Sequence, residues 1–377
     1  MDAVFRFGIE EEYFLADAET GATPDGDVAD AFHRARGAEV KPASHEFLKG
    51  QVEVQTEPTT SFEEARDQLL AARRGLAKVA EEHGLLLLAA GSHPLARARD
   101  QDATEKERYQ RLLAELGVIA PRAMICAMHI HVETPEPDGR VRLMNRLTPF
   151  LPLMLALSSS SPFWQGRDTG LHSYRLTAFA QWPRTGLPEM FADEDEYRRF
   201  VELMVAGGVI DDASFLWWHI RPSVRFPTVE LRVCDCCTRV DDAVALAALY
   251  QALTRCLVRR PEINAEVSVV DRGVCASNLW QVQQHGLEAR LIDARSGETR
   301  TVAEQLEAVL ALVESDAAAL GSTDWIARCR AIAADGTSAD RQRALFRAAK
   351  ERTTSDTHAL REVIRTLAAA TVRRGAF

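Results

Sequence analysis

Glu10 and Glu12, Glu53 and Gln55, His129 and His131, and Glu230 and Arg232 are four pairs of chemically capable side chains, each spaced two residues apart. In an extended strand, alternate side chains share a face. Each pair would therefore project from one side of a strand. Apolar neighbours such as Ile9, Val54, Ile130 and Leu231 fall on the other side. Carboxylates with one or two imidazoles and no thiolate suit magnesium, with manganese as the alternative. Magnesium takes a few carboxylates and shares its remaining positions with substrate phosphates. Four such strands in one sheet would form a floor for a metal–nucleotide complex. For one strand alone, the plainer reading is the wetted face of a one-sided antiparallel sheet. Four strands carrying Glu, Gln, His and Arg in place of Ser, Thr and Lys depart from that reading.

The elements that must position these residues follow from local pattern. Residues 3–15 read as a strand and 17–28 as a Gly- and Asp-rich loop. A second strand covers about 50–57. Ser61 with Glu64 makes a capping-box signature for a helix running to about residue 83. Residues 85–90 are a continuous apolar run, typical of a buried strand. Residues 103–116 look helical, 124–133 form the His-x-His strand, and 141–157 read as one long apolar helix. Residues 162–190 lack periodicity, and a loop that long inside a domain is usually functional. Further helices are expected over 193–206 and 240–260, with strands at 217–221 and 224–235. From about residue 300 the chain is Ala-, Arg- and Glu-rich and almost wholly helical. Strands and helices intersperse without regular β-α-β alternation, which favours an α+β antiparallel sheet. No linker interrupts residues 1–377, so a single domain is expected, with a helical C-terminal portion.

The totals exclude several classes. The 377 residues carry a net charge of −10, against a general nucleic-acid or membrane-surface binder. Five of the 45 basic residues are Lys and the rest Arg. The seven Cys are odd in number and irregular in spacing, and so suggest a reduced, cytoplasmic protein. No apolar run reaches about 18 residues, so no membrane span is expected. Neither a Gly-x-x-x-x-Gly-Lys-Ser/Thr loop nor a Gly-x-Gly-x-x-Gly loop occurs.

Several longer motifs carry a family resemblance. They are Phe7-Gly8-Ile9-Glu10-Glu11-Glu12, Ala127 to Val132, Leu155-Ala156-Leu157-Ser158 with Ser161 to Gly166, Asp168-Thr169-Gly170 and Ser173-Tyr174-Arg175. Trp182 to Pro188, Trp217 to Asp235, and the weaker Asn278-Leu279-Trp280 with His285-Gly286-Leu287 continue the series. The chain resembles the carboxylate-amine ligases related to type 2 glutamate–cysteine ligase, in the glutamine-synthetase superfamily, over roughly residues 4–370. The resemblance implies a glutamine-synthetase-like catalytic fold, with a curved antiparallel sheet lining the site and helices packed outside. It implies ATP and Mg2+ as cofactors, an amino-acid carboxylate and an amine as substrates, and a homodimer. A carboxylate would take the γ-phosphoryl group of ATP, and an amine would displace phosphate from the acyl phosphate. Glu10, Glu12, Glu53, His131 and Glu230 are the implied metal ligands, with His129 behind them. Arg221 and Arg232 would stabilise the transferring phosphoryl group. Arg175 and Arg184 would hold substrate carboxylate or cover the site. Glu11 faces the apolar side and drops out as a ligand.

Competing readings remain at this level. A metal-dependent hydrolase could use the same His and Glu set to activate water. A degenerate nucleotide-binding member would keep the fold without the chemistry. Each Arg could instead be a structural ion pair. Cys234, Cys236 and Cys237 read first as small buried residues. Trp164, Trp182, Trp217 and Trp218 read first as core.

Overall fold

The computed structural model describes residues 4–40, 43–136 and 139–374. Among these, seven strands form one sheet: β1 (Phe7–Asp17), β2 (Ala43–His45), β3 (Gln51–Gln55), β4 (Leu85–Leu88), β5 (Met128–Glu133), β6 (Ile220–Pro222) and β7 (Thr228–Leu231). The order is β6-β7-β5-β1-β3-β2, with β4 on the far end of β1. All pairings are antiparallel. The register sets Glu10 between His129 and Gln55, Glu12 opposite Glu53, and Glu230 opposite His131. The four pairs found in the sequence therefore share one face of one sheet.

The other face is apolar, and its burial fixes that register. Ile9, Val54, Ile130, Val132, Val229 and Leu231 are at most 1% exposed. A one-residue slip would turn every one of them towards the polar side. Two helices cover this face, Phe62–Glu82 and Val240–Arg259. The first starts as expected, with Ser61 Oγ accepting the Glu64 amide, and ends before Gly84 at φ +68°. The second is buried on nearly every side, as a helix that is apolar all round must be. Helices Val302–Leu320, Thr323–Asp335, Ser338–Lys350 and Asp356–Thr371 make the expected C-terminal helical portion.

Some boundaries differ, each for a physical reason. The long helix expected over 141–157 is two helices, Arg140–Leu147 and Leu151–Ser158, joined by a 3-10 turn. Pro149 and Pro152 lack the amides a continuous helix would need. The loop expected over 17–28 gives way at Gly26 to a helix reaching Glu39. The strand expected from residue 224 begins at Thr228, because Ser223 Oγ accepts the amides of Arg225 and Phe226 in a turn that ends at Pro227. Helix Val269–His285, with a Ser268–Asp271 capping box, was not anticipated.

Candidate functional site

Glu10, His131 and Glu230 each offer a ligand atom, and these atoms lie within 4.8 Å of one another. Glu10 bridges both histidines, with Oε1 3.3 Å from His131 Nε2 and Oε2 3.2 Å from His129 Nδ1. His131 Nδ1 lies 2.9 Å from Thr228 Oγ1, which orients the ring. Its buried Nε2 meets the Glu10 carboxylate and makes no other hydrogen bond. Burial raises the Glu10 carboxyl, but hydrogen bonds from His129 and His131 outweigh it and hold the group well below the usual range. Burial lowers His131, yet the Glu10 hydrogen bond and the Glu230 charge leave its pKa raised.

A second acidic group continues the floor along β1. Burial, then the charges of Glu10 and Glu12, push the Glu53 carboxyl up to about 7. Burial, then the charges of Glu12 and Glu53, also raise Glu46, in the turn between β2 and β3, well above the usual carboxylate range. Glu53 accepts from Gln55 Nε2 at 2.8 Å, and Glu12 from the Ala127 amide at 2.7 Å. Among the described residues, no Lys or Arg forms an ion pair with Glu46 or Glu53. Carboxylates crowded in this way repel one another, and a bound cation relieves the repulsion. Sequence reasoning missed Glu46, because a turn shows no alternation.

The two arginines assigned to phosphoryl transfer differ. Arg221 grips Glu230 with Nε and Nη2 (2.7 and 3.3 Å) and donates from Nη1 to the carbonyls of Ser214 and Leu216. All three of its nitrogens are engaged. Arg232 also pairs with Glu230 and reaches His129 Nδ1 at 3.4 Å, but its Nε is buried without a partner. Burial raises the Glu230 carboxyl, but Arg232 and Arg221 outweigh it and hold it far below the usual range.

The two arginines expected to hold substrate carboxylate are both engaged in contacts within the protein. Arg175 is 2% exposed and pairs with Asp235 at 2.8 Å. Its Nη2 holds the carbonyls of Arg232 and Val233. Asp235 also accepts from the Ser160 amide and the hydroxyls of Ser161 and Ser173. Arg175 is thereby a brace behind Arg232 and is removed from the cleft wall. Arg184, at φ +60°, donates to the Phe215 carbonyl and to Glu115, with its guanidinium 5.2 Å from the Trp217 ring centre. All seven cysteines are free and buried. Trp182, Trp217 and Trp218 are buried. Glu11 faces the helices, and its carboxylate pairs with Arg73.

Two buried histidines outside the floor set an acid limit on stability. His93 Nδ1 accepts the amides of Leu95 and Ala96, and His33 Nδ1 accepts Arg36 Nε. Burial pushes both pKa values down to about 4. Unfolded histidine protonates near 6.5. Stability is therefore full above about pH 6.5, falls as the pH drops towards 4, and levels off below that. Each group contributes up to about 3 kcal/mol by linkage. Urea titrations at pH 7, 5.5 and 4.5 should show the midpoint falling stepwise. A midpoint constant across that range would contradict neutral burial.

A cavity of about 460 Å3 opens beside Glu10 and His131, lined also by Arg6, Gly8, Pro58 and Phe226. Its size is that of a small-molecule site. Among the described residues, no helix is long and apolar enough to cross a membrane.

Comparison with known proteins gives a consistent picture. The profile of the family described as glutamate-cysteine ligase family 2 (GCS2) matches residues 6–366. A relative from Jannaschia sp., named as a candidate glutamate–cysteine ligase 2, is 43% identical over 366 residues, covering 96% of each chain. One of the same name from Bradyrhizobium sp. is 42% identical over 347 residues, covering 91% of this chain and 84% of its own. The fold is that of a Francisella tularensis glutamate–cysteine ligase solved in complex with AMP, with TM-score 0.71, 12% identity, and coverage of 98% of this chain and 89% of that one. A Pasteurella multocida bifunctional glutathione synthetase gives TM-score 0.71 at 14% identity, over 97% of this chain and 52% of that one.

Proposed function

Because the chain belongs to glutamate–cysteine ligase family 2, we propose that its carboxylate-lined sheet is where ATP activates an amino-acid carboxylate for attack by an amine. The chain is an ATP-dependent ligase that forms a C–N bond, of the glutamate–cysteine ligase type. The observation that carries this reading is the convergence of Glu10, His131 and Glu230 beside the 460 Å3 cavity. The cavity takes the nucleotide, its phosphates towards Glu10 and His131.

The donor set suits magnesium, being oxygen-rich, without thiolate, and completed by one imidazole whose buried Nε2 meets only the Glu10 carboxylate. Glu10, His131 and Glu230 would hold one ion, and Glu12, Glu46 and Glu53 a second. Bound there, magnesium supplies charge neutralisation at the phosphate oxygens. Around it, this chain's residues have separate tasks. Arg232, with an unpaired Nε, faces the charge that develops during phosphoryl transfer. Arg221 keeps the Glu230 carboxylate in place. Thr228 holds the His131 ring so that Nε2 points at the floor. Glutamate as the acid, a cytoplasmic setting and a homodimer belong to the same reading, the last on family resemblance alone.

Thermal denaturation with magnesium and a non-hydrolysable ATP analogue tests the site. A ligand at 100 times its Kd stabilises by about 2.7 kcal/mol. Wild type should gain several degrees in Tm, and Glu10→Gln should gain little. Equal gains for both would remove Glu10 from the site.

A further inference from the structure

Among the described residues, two cations beside the floor, Lys106 and Arg108, have no ion-paired carboxylate, and Lys106 is engaged by the His45 carbonyl and the Tyr109 ring. Helix Glu107–Leu116 begins near Glu12, Glu46 and Glu53, whose charges reach its Tyr109. Its approach is pinned there, with Thr104 Oγ1 donating to the Glu46 carbonyl at 2.6 Å and the Thr104 amide to the Phe47 carbonyl. Tyr109 packs edge-on against Phe47 at 5.5 Å, and the charges of Glu46, Glu53 and Arg108 all reach its hydroxyl. The other arginines of this region are paired: Arg111 with Asp211, and Arg184 with Glu115. Arg108 is not. Its guanidinium lies 4.5 Å from the Phe215 ring centre, and no described carboxylate lies within ion-pair distance. Asp212 feels its charge only from further away.

The platform under Arg108 belongs to the site. The carbonyls on either side of Phe215, those of Ser214 and Leu216, are held by Arg221, which holds Glu230. The Phe215 carbonyl itself is held by Arg184. A half-buried guanidinium thus stands on a fixed aromatic ring at the acidic end of the floor. An amino-acid substrate entering here meets Glu12, Glu46 and Glu53, and its free carboxylate would be repelled by any of them that is ionised and not holding a cation. A planar guanidinium with free donors offsets that repulsion and accepts a carboxylate bidentately.

We propose that Arg108 anchors the non-reacting carboxylate of an amino-acid substrate, at the end of the floor opposite the nucleotide cavity. This rests on the ligase reading above and adds where a substrate is recognised. The consequence is selectivity. The enzyme takes amino acids in preference to the corresponding decarboxylated compounds, and Arg108 is the reason.

The test compares substrates that differ only in that carboxylate. Glutamate is set against 4-aminobutyrate as the acid, and cysteine against cysteamine as the amine. Amide formation is measured for wild type, Arg108→Ala and Arg108→Lys. For one of the two pairs, Arg108→Ala should lose at least about tenfold in kcat/KM for the carboxylated member, mainly through KM. The decarboxylated member should change less than about twofold, and Arg108→Lys should fall between. The pair that responds identifies which substrate Arg108 holds. Because the readout is a ratio within one variant, a general loss of folded protein cancels. Equal losses for both members of both pairs would overturn the proposal, as would a wild type indifferent to the carboxylate in both. A wild type that makes amide normally, with an Arg108→Ala that shows no selective loss, would leave the ligase reading standing and remove Arg108 from it.

Discussion

Glu10→Gln is expected to lower amine-dependent phosphate release by roughly a thousandfold, corresponding to about 4 kcal/mol of lost stabilisation of the transferring phosphoryl group. The fold should survive. The partners of Glu10 are His129 and His131, and an imidazole can give up its proton when the neighbouring charge is removed. Glu230→Gln is a useful contrast. It should lose activity as severely, and stability as well. Its carboxylate lies between two guanidinium groups, which cannot deprotonate and would face an uncharged amide. Phosphate release and urea denaturation on both variants separate the two cases. Near-wild-type turnover in Glu10→Gln would place the reacting phosphates elsewhere.

Arg73→Met should destabilise the protein by about 3–5 kcal/mol, the cost of leaving one charge of a buried pair alone. Arg73 and Glu11 are both 0% exposed and meet at 2.6 Å. Arg73 also donates to the carbonyls of Cys237, Thr238 and Thr371, and Tyr13 donates to Glu11. The pair thus ties β1 to the chain that follows β7 and to the last helix. Glu11 sits between Glu10 and Glu12, so the same pair holds both floor carboxylates in position. The double variant Glu11→Leu, Arg73→Met should recover part of the loss, because no isolated charge remains. The freed carbonyls and the Tyr13 hydroxyl keep the recovery incomplete. Additive losses in the double variant would show that the two side chains do not act as a unit.

Much of the floor could be read from the sequence because a strand has only two faces. Alternation put Glu10 with Glu12 and His129 with His131, and burial of Ile9, Ile130 and Leu231 left one register available. The irregular interspersal of strands and helices pointed to the antiparallel α+β class, and motif resemblance added a curved sheet lining the site. Pairing across the chain was not legible. Asp235 lies 60 residues from Arg175 in sequence, and nothing local marks the two as partners. Arg221 read either as a stabiliser of the phosphoryl group or as a structural ion pair, and the β6–β7 register sets it directly opposite Glu230. Glu46 gave no signal because turns have no period. Arg108 and Arg111 are indistinguishable by type and spacing; only the fold shows that one has an acidic partner and the other does not. The break in the helix expected over 141–157 was missed although Pro149 and Pro152, which cause it, stand in the sequence.

The central claim is that this floor couples ATP cleavage to amide formation. The most direct measurement incubates the protein with ATP, magnesium and glutamate, with and without a panel of amines that includes cysteine. Phosphate release is followed, and the product is weighed by mass spectrometry. The account predicts phosphate release that depends on both acid and amine, with one amide formed per phosphate and none formed by Glu10→Gln. Phosphate release without amine, or hydrolysis of a substrate without ATP, would contradict it.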